Sequence, residues 1–261
     1  MARSLSAESP HGSNQPDLDT EAVWEARRDL AACFRMAARH GLEEGICNHF
    51  SALVPGYDDL FLVNPYGYAF REITASGLLV CDFHGNVVAG DGEPEATAFF
   101  IHARVHKALP RAKVAFHTHM PYATALSMTE GDPLIYAGQT ALKFYGRTRV
   151  DPDYNGLALD EREGDRIAAA AGDADIVFMK NHGVMVLAPS IAVAWDDLYY
   201  LERACEVQTL ALSTGRQVLP VDREVAEATA RQMQGGGDES ARLHLASVRR
   251  TLDRLEPDYR T

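Results

Sequence analysis

Apolar positions recur at helical spacing from Leu18 to Arg39, interleaved with charged residues. Asp19 or Thr20 is placed to cap the start of that helix and Gly41 to end it. From Asn48 to Val88 the pattern shortens to runs rich in Val, Leu, Phe and Tyr, separated by PGYDD, NPYG, ASG and HGN. Each separator is a turn former, so about four short, mostly antiparallel strands are expected. Helical spacing returns over Glu93–Leu109, closed by Pro110, and Val114–His119 reads as a strand. A further helix is predicted from Leu157 to Ala171, stopped by Gly172. DIVFMK and VMVLAPS then read as strands meeting across a tight Asn181-His182-Gly183 turn, in which Gly183 can take a positive φ. Ser190–Thr214 is helical in period with Gly215 at its end, and Gly235-Gly236-Gly237 separates a shorter helix from a terminal one, Glu239–Leu255.

Short strands followed by interleaved helices, without regular βαβ alternation, predict an α/β fold in which helices cover one sheet, and not a Rossmann fold. Neither GxGxxG nor GxxxxGK[ST] occurs, which removes the usual nucleotide-binding arguments. The polar start, rich in Ser, Pro and Asn, reads as a disordered tail over 1–17. The organisation expected is that tail, one domain over 18–234, and a helical extension over 235–261.

Composition narrows the functional classes. With 46% hydrophobic and 24% charged residues the chain reads as an ordinary globular domain, and no apolar run is long enough to span a bilayer. The first residues lack the apolar core of a secretory signal, so a cytoplasmic location is expected. Cys33, Cys47, Cys81 and Cys205 match neither zinc-knuckle spacing nor a small disulfide framework, and read as free thiols. A formal charge of −12 and the lack of a basic cluster argue against nucleic acid as a partner.

Against that background the stretch AKVAFHTH carries chemistry. Residues i and i+2 of a strand share a side, so His117 and His119 present parallel rings roughly 6 to 7 Å apart along the backbone. That spacing suits chelation, and it equally suits two polar residues where a strand runs out. A catalytic divalent ion usually takes three protein ligands, so a third must come from elsewhere. His182, held at a turn tip, is one candidate. His102 and His106, four apart on one helix face, are a rival pair.

Taken together, CNHFSALVPG, FLVNPYGYAFREITASGLLVCDFHGNVV, HKALPRAKVAFHTHMPYATALS, GQTALKFYGR and IVFMKNHGVMVLAPSIAVAWDDLYYLERACEVQ resemble the class II aldolase/adducin family, in that family's order, over about residues 20 to 215. The resemblance implies a three-layer α/β/α sandwich on a mixed, mostly antiparallel central sheet, usually as a homotetramer with active sites at subunit contacts. It also implies that His117, His119 and His182 bind one divalent metal ion, Zn2+ foremost, with Fe2+ or Mn2+ as alternatives. Sugar-phosphate aldolases of the family carry a glutamate acid/base on the helix before the HxH strand; that place is Ala98 here, with Glu95 one turn away. Their phosphate loop, of Gly-Asn-Val-Ser type, corresponds to Asn48-His49-Phe50-Ser51, and small hydroxyl positions correspond to Tyr66 beside Gly67 and Ala96 beside Thr97.

Larger groups at His49 and Tyr66 predict a non-phosphorylated substrate, aromatic or carboxylated in character. Asn48, Tyr66, Gly67, Thr97 and Asn181 are the expected substrate contacts, and His49 or Tyr145 the group that moves the proton; Tyr122 reads as packing. Three functions compete: a metal-dependent lyase acting by aldol cleavage or decarboxylation, a non-haem iron oxygenase acting on a hydroxyarylpyruvate, and a non-catalytic adducin-like scaffold. Adducin itself lacks the metal histidines that this chain retains.

Overall fold

The first helical pattern becomes α1 (Glu21–Arg39), capped by Thr20, whose hydroxyl accepts from the Val23 N–H, while Gly41 turns the chain away at φ 68°. These observations come from a computed structural model that describes residues 16–156 and 161–261. The expected tail therefore lies almost wholly outside the described residues, as do positions 157–160 of the helix expected from Leu157.

Four strands follow, β1 (His49–Leu53), β2 (Leu60–Val63), β3 (Leu79–Asp82) and β4 (Val87–Ala89), paired antiparallel in sequence order. Then come α2 (Ala96–Ala108), β5 (Val114–Thr118), α3 (Pro121–Ser127), α4 (Gln139–Leu142), β6 (Thr148–Asp151), α5 (Glu161–Ala171), β7 (Ile176–Met179) and β8 (Gly183–Ala188). Three helices, α6 (Ile191–Ser213), α7 (Arg223–Gln234) and α8 (Gly237–Leu255), complete the chain. The eight strands form one sheet in the order β4-β3-β2-β1-β5-β8-β7-β6, and only β6 and β7 run parallel. Their connection through α5 needs the length of a helix, as a parallel pair does.

Strand alternation sends two apolar sets to opposite faces. Phe50 and Phe116 point one way and stack with ring centroids 3.9 Å apart, and Phe34 of α1 stacks on Phe50 at 4.8 Å. This face, with Val184 and Val186, packs under α1, α6 and α8. On the other face Ala115, Val177, Met185 and Leu187 meet Ile101 and Val105 of α2 and Ile167 of α5. The result is the three-layer α/β/α sandwich on a mixed, mostly antiparallel sheet.

The C-terminal segment after Gly235-Gly236-Gly237 is part of the main core. Ala241, Leu245, Val248, Leu252 and Tyr259 are buried in it, and Arg35 pairs with Asp258 at 2.6 Å. The last residues also hold the β2–β3 connection, through Ala75 N–H to the Tyr259 carbonyl at 2.9 Å and Ser76 N–H to the Thr261 carbonyl at 2.8 Å. All four cysteines are free; Cys47 alone is exposed. Among the described residues no helix is long and apolar enough to cross a membrane.

Candidate metal centre

The start of β1, the end of β5 and the β7–β8 turn meet at one end of the sheet. β1 runs antiparallel to β5, so His49 sits directly opposite His117, and Met185 of β8 lies on the other side of His117. All three side chains face α2. His119 follows two residues after His117, just past the strand end. The β7–β8 turn closes with His182 N–H donating to the Met179 carbonyl at 3.1 Å.

Backbone chemistry of that turn differs from the sequence reading. Asn181 takes the left-handed conformation, at φ 56°, and Gly183 does not. Asparagine tolerates that region through its short polar side chain. Gly183 is needed for space instead: a Cβ there would lie 2.6 Å from the Thr118 carbonyl oxygen and 2.9 Å from Cδ2 of His119.

His117, His119 and His182 are brought together with ligand nitrogens all within 4.8 Å of one another, and every pair of ring centroids stands 4.9 Å apart. Among the described residues they are the one such set. His102 and His106 do not join it. Nδ1 of His117 donates to the Val184 carbonyl at 2.9 Å, and Nδ1 of His119 donates to the Glu44 carboxylate. The two Nε2 atoms face each other at 3.2 Å, and where neither carries a proton both are bare lone pairs.

Two lone pairs at that distance repel unless a cation lies between them. Two nitrogens bound to one tetrahedral zinc at ordinary bond lengths stand about 3.3 Å apart. The donor set, its spacing and its tautomers therefore fit a divalent ion. Burial, then the neighbouring His49, His182 and His119, push the His117 pKa well down, and burial with His119 and Arg166 lowers His182 to about 4. Both rings are thus neutral, the form that ligates a metal, at physiological pH.

Glu44 is a residue beside the histidine set that the sequence did not disclose. It comes from the loop before β1, 75 residues from His119, and its own N–H is held by Asn48 Oδ1 at 2.7 Å. A carboxylate on the far nitrogen of a ligating histidine fixes the tautomer and raises ligand basicity. Tyr154 is the second such residue, its ring 6.2 Å from that of His182. Tyr145 stands elsewhere: it packs on Tyr136 at 4.9 Å, next to the Thr148 end of β6, whereas His182 follows the Met179 end of β7.

The remaining expected contacts divide by what else they do. Asn48 is buried with its Nδ2 unpaired, and the neighbouring Asn64, whose Nδ2 donates to the Asn48 carbonyl at 3.2 Å, has an unpaired Oδ1. Buried polar atoms without partners are uncommon and mark a place where a ligand or water belongs. Tyr66 is exposed, tied by its N–H to the Glu93 carbonyl at 2.8 Å, with Gly67 beside it at φ 90°. Thr97 donates its hydroxyl to Glu95, which also accepts from Ala98 N–H at 2.8 Å. Both side chains are thereby engaged in capping α2, so Glu95 does not stand in for the carboxylate missing at buried Ala98.

His49 is joined to the rival pair by a buried run of hydrogen bonds. Its Nδ1 lies 2.7 Å from His102 Nε2; His102 Nδ1 lies 2.5 Å from Ser51 Oγ; Ser51 Oγ lies 2.7 Å from His106 Nε2. His106 Nδ1 ends the run on the Ala112 carbonyl at 2.7 Å. Burial holds the pKa values of His49 and His102 well below the ordinary range and that of His106 down at about 4.

The fold and the histidine set can be compared with known proteins. An aldolase II superfamily protein from Pseudomonas syringae superposes with a TM-score of 0.88 at 34% identity, over 94% of this chain and 98% of that one. An adducin-related protein of Schizosaccharomyces pombe is 33% identical over 93% of this chain and 78% of its own length. A 4-hydroxy-3-prenylphenylpyruvate oxygenase/4-hydroxy-3-prenylbenzoate synthase of Streptomyces roseochromogenus is 31% identical over 91% of this chain and 88% of its own. The class II aldolase and adducin N-terminal domain matches residues 28–209, which span β1 to α6 and every histidine of the site, and the chain belongs to that family.

Proposed function

We propose that this chain is a divalent-metal-dependent lyase that cleaves a C–C bond of a non-phosphorylated hydroxy or keto acid, by aldol cleavage or decarboxylation. The observation that carries the reading is the pair of facing Nε2 atoms of His117 and His119 at 3.2 Å, with His182 completing the set. A bound Zn2+, Fe2+ or Mn2+ supplies a Lewis acid that polarises a carbonyl or carboxylate and stabilises enolate charge.

The protein's own groups do the rest. His119 is oriented by Glu44 and His117 by the Val184 carbonyl. His49 Nε2 accepts the proton of the substrate hydroxyl, a role for which the neutral ring is suited. Asn48 Nδ2 and Asn64 Oδ1 offer an unpaired donor and acceptor to a polar substrate group. By the family resemblance, His49 and Tyr66 correspond to positions at which sugar-phosphate aldolases bind phosphate, which favours an aromatic or carboxylated substrate. The nearness of the Tyr154 ring to His182 supports that tyrosine as a group acting there, whereas Tyr145 would need a neighbouring subunit. The reading includes a cytoplasmic homotetramer.

A second reading, an Fe2+-dependent oxygenase, is favoured by the likeness to the Streptomyces roseochromogenus protein. Oxygen uptake and CO2 release, measured with hydroxyarylpyruvates and dihydroxybenzoates on protein loaded with Zn2+ or Fe2+, separate the two. Anaerobic CO2 release supports the lyase; turnover that needs oxygen supports the second reading. Elemental analysis of protein purified without added metal is the prior check: less than about a tenth of an equivalent per chain rejects both and leaves an adducin-like scaffold. His182→Ala is expected to lose the bound metal, and stoichiometric metal in that variant would reject the three-histidine site.

A further inference from the structure

The run of bonds from His49 to Ala112 has a direction, fixed at its far end. A carbonyl oxygen only accepts, so His106 Nδ1 carries a proton and donates to Ala112. His106 is neutral, so its Nε2 accepts, and the only proton available to it belongs to the Ser51 hydroxyl. With that proton committed, Ser51 Oγ accepts from His102 Nδ1. Neutral His102 then has a bare Nε2, which accepts from His49 Nδ1. Each choice forces the next, and the last leaves His49 with Nδ1 protonated and Nε2 bare.

The two nitrogens of an imidazole point to nearly opposite sides. With Nδ1 turned toward α2, His49 turns Nε2 away from that helix, and Nε2 has no hydrogen-bond partner among the described residues. The His49 ring lies 4.8 Å from that of His117, yet His49 is outside the set of nitrogens within 4.8 Å of one another. Its lone pair therefore stands beside the metal centre without belonging to it. Protonated Nε2 would present a donor there instead; the site's choice of ligand turns on which tautomer His49 holds.

We propose that Ser51, His102 and His106 are positioning residues that lock His49 as a hydrogen-bond acceptor, and that this acceptor selects ligands bearing a hydroxyl next to the metal-chelating oxygen. The inference rests on the metal-site reading above and adds the substrate class: α-hydroxy acids over their ethers or deoxy analogues. No ring in the run changes charge in this role; what matters is the polarity of the bonds.

Ser51→Ala cuts the run at its middle. His102 Nδ1–H would then be a buried donor without an acceptor, a state costly enough to be avoided. The remaining pair avoids it by reversing: His102 Nε2–H donates to His49 Nδ1, and His49 Nε2 takes the proton. The tautomers are read by 15N NMR of histidine-labelled, zinc-loaded full-length protein, with the His49 signals identified by their loss in His49→Gln. Wild type is expected to show His49 protonated on Nδ1, Ser51→Ala on Nε2, and Ser51→Thr, which keeps the hydroxyl, as wild type. An unchanged tautomer in Ser51→Ala overturns the lock.

The second arm measures binding of lactate and of 2-methoxypropanoate, which lacks the donor. Wild type and Ser51→Thr are expected to prefer lactate by about tenfold, the worth of one good hydrogen bond, and Ser51→Ala to lose that preference. A preference that survives the tautomer change, or is absent from wild type, overturns the acceptor role. Neither readout uses turnover, so failure of the lyase reaction would leave this result standing, and the reverse.

Discussion

Four buried histidines around the site, with half-buried His182 beside them, make the fold unusually sensitive to mild acid. Burial is the largest cause that holds His49, His102 and His117 well below the ordinary histidine range and His106 and His182 down at about 4. Between about pH 6.5, the unfolded value, and these folded values, the unfolded chain binds a proton on each ring that the folded chain does not. Stability contributed by the neutral rings is therefore present above pH 6.5 and is lost as pH falls toward 4. At pH 5.5 an unfolded histidine is about nine-tenths protonated, so five rings correspond to about 4.5 protons taken up on unfolding. That is a slope of about 6 kcal/mol per pH unit, against a total stability of 5–15 kcal/mol for a typical domain. Asp29, Asp151 and Glu202, raised by burial, contribute with the opposite sign.

The assay is urea unfolding of chelator-treated protein at half-unit steps from pH 7.5 to 5.0. The slope of unfolding free energy against pH at 5.5, divided by about 1.4 kcal/mol, counts the protons. A count of three to five is expected, with acid unfolding near about pH 5. A count below one would refute the reasoning, because it would mean that these rings are charged or solvated in the folded protein. Adding zinc at neutral pH should stabilise the protein by mass action.

Glu44→Gln removes the carboxylate on His119 while keeping its shape, and is expected to weaken zinc binding ten- to a hundredfold, read by competition with a chromophoric chelator; unchanged affinity rejects the orienting role. Gly183→Ala forces a methyl against the Thr118 carbonyl oxygen and the His119 ring, at 2.6 and 2.9 Å, and should cost about 1–3 kcal/mol in urea unfolding together with a loss of bound metal. Phe50→Ala removes the ring stacked between Phe34 and Phe116 and should cost about 3–5 kcal/mol in the same assay.

Periodicity disclosed the long elements and the half of the site that is local. Val114–Thr118 alternates with His117 on one face, and the β7–β8 turn is written in Asn181, His182 and Gly183. The short α3, α4 and β6 were not disclosed, since seven or four residues do not complete a period that can be told from chance. Long-range partners were equally hidden. Nothing near Glu44 announces that it will meet a ring 75 residues away, and Ser51 lies 51 residues from His102. His102 and His106 were visible as a pair with metal spacing, but their spacing is shared by any two residues on a helix face. Only the register of β1 against β5 shows that their partner is a serine.

That register ties the site to the core. His49 and Ser51 face α2, and Phe50 between them faces the opposite side, into the aromatic stack with Phe34 and Phe116. A slip of β1 by one residue would put a phenylalanine against α2 and two polar side chains into the larger core, so packing fixes the chemistry and the chemistry constrains packing. The same stripe logic runs along α2, where Ala98, His102 and His106 follow one another at helical spacing. At Ala98, where the aldolase resemblance calls for a carboxylate, the stripe has a buried methyl; one turn later it has an imidazole bonded to His49. The polar group that α2 presents to the site therefore lies one turn further along the helix than Ala98, in a hydrogen bond with the His49 ring.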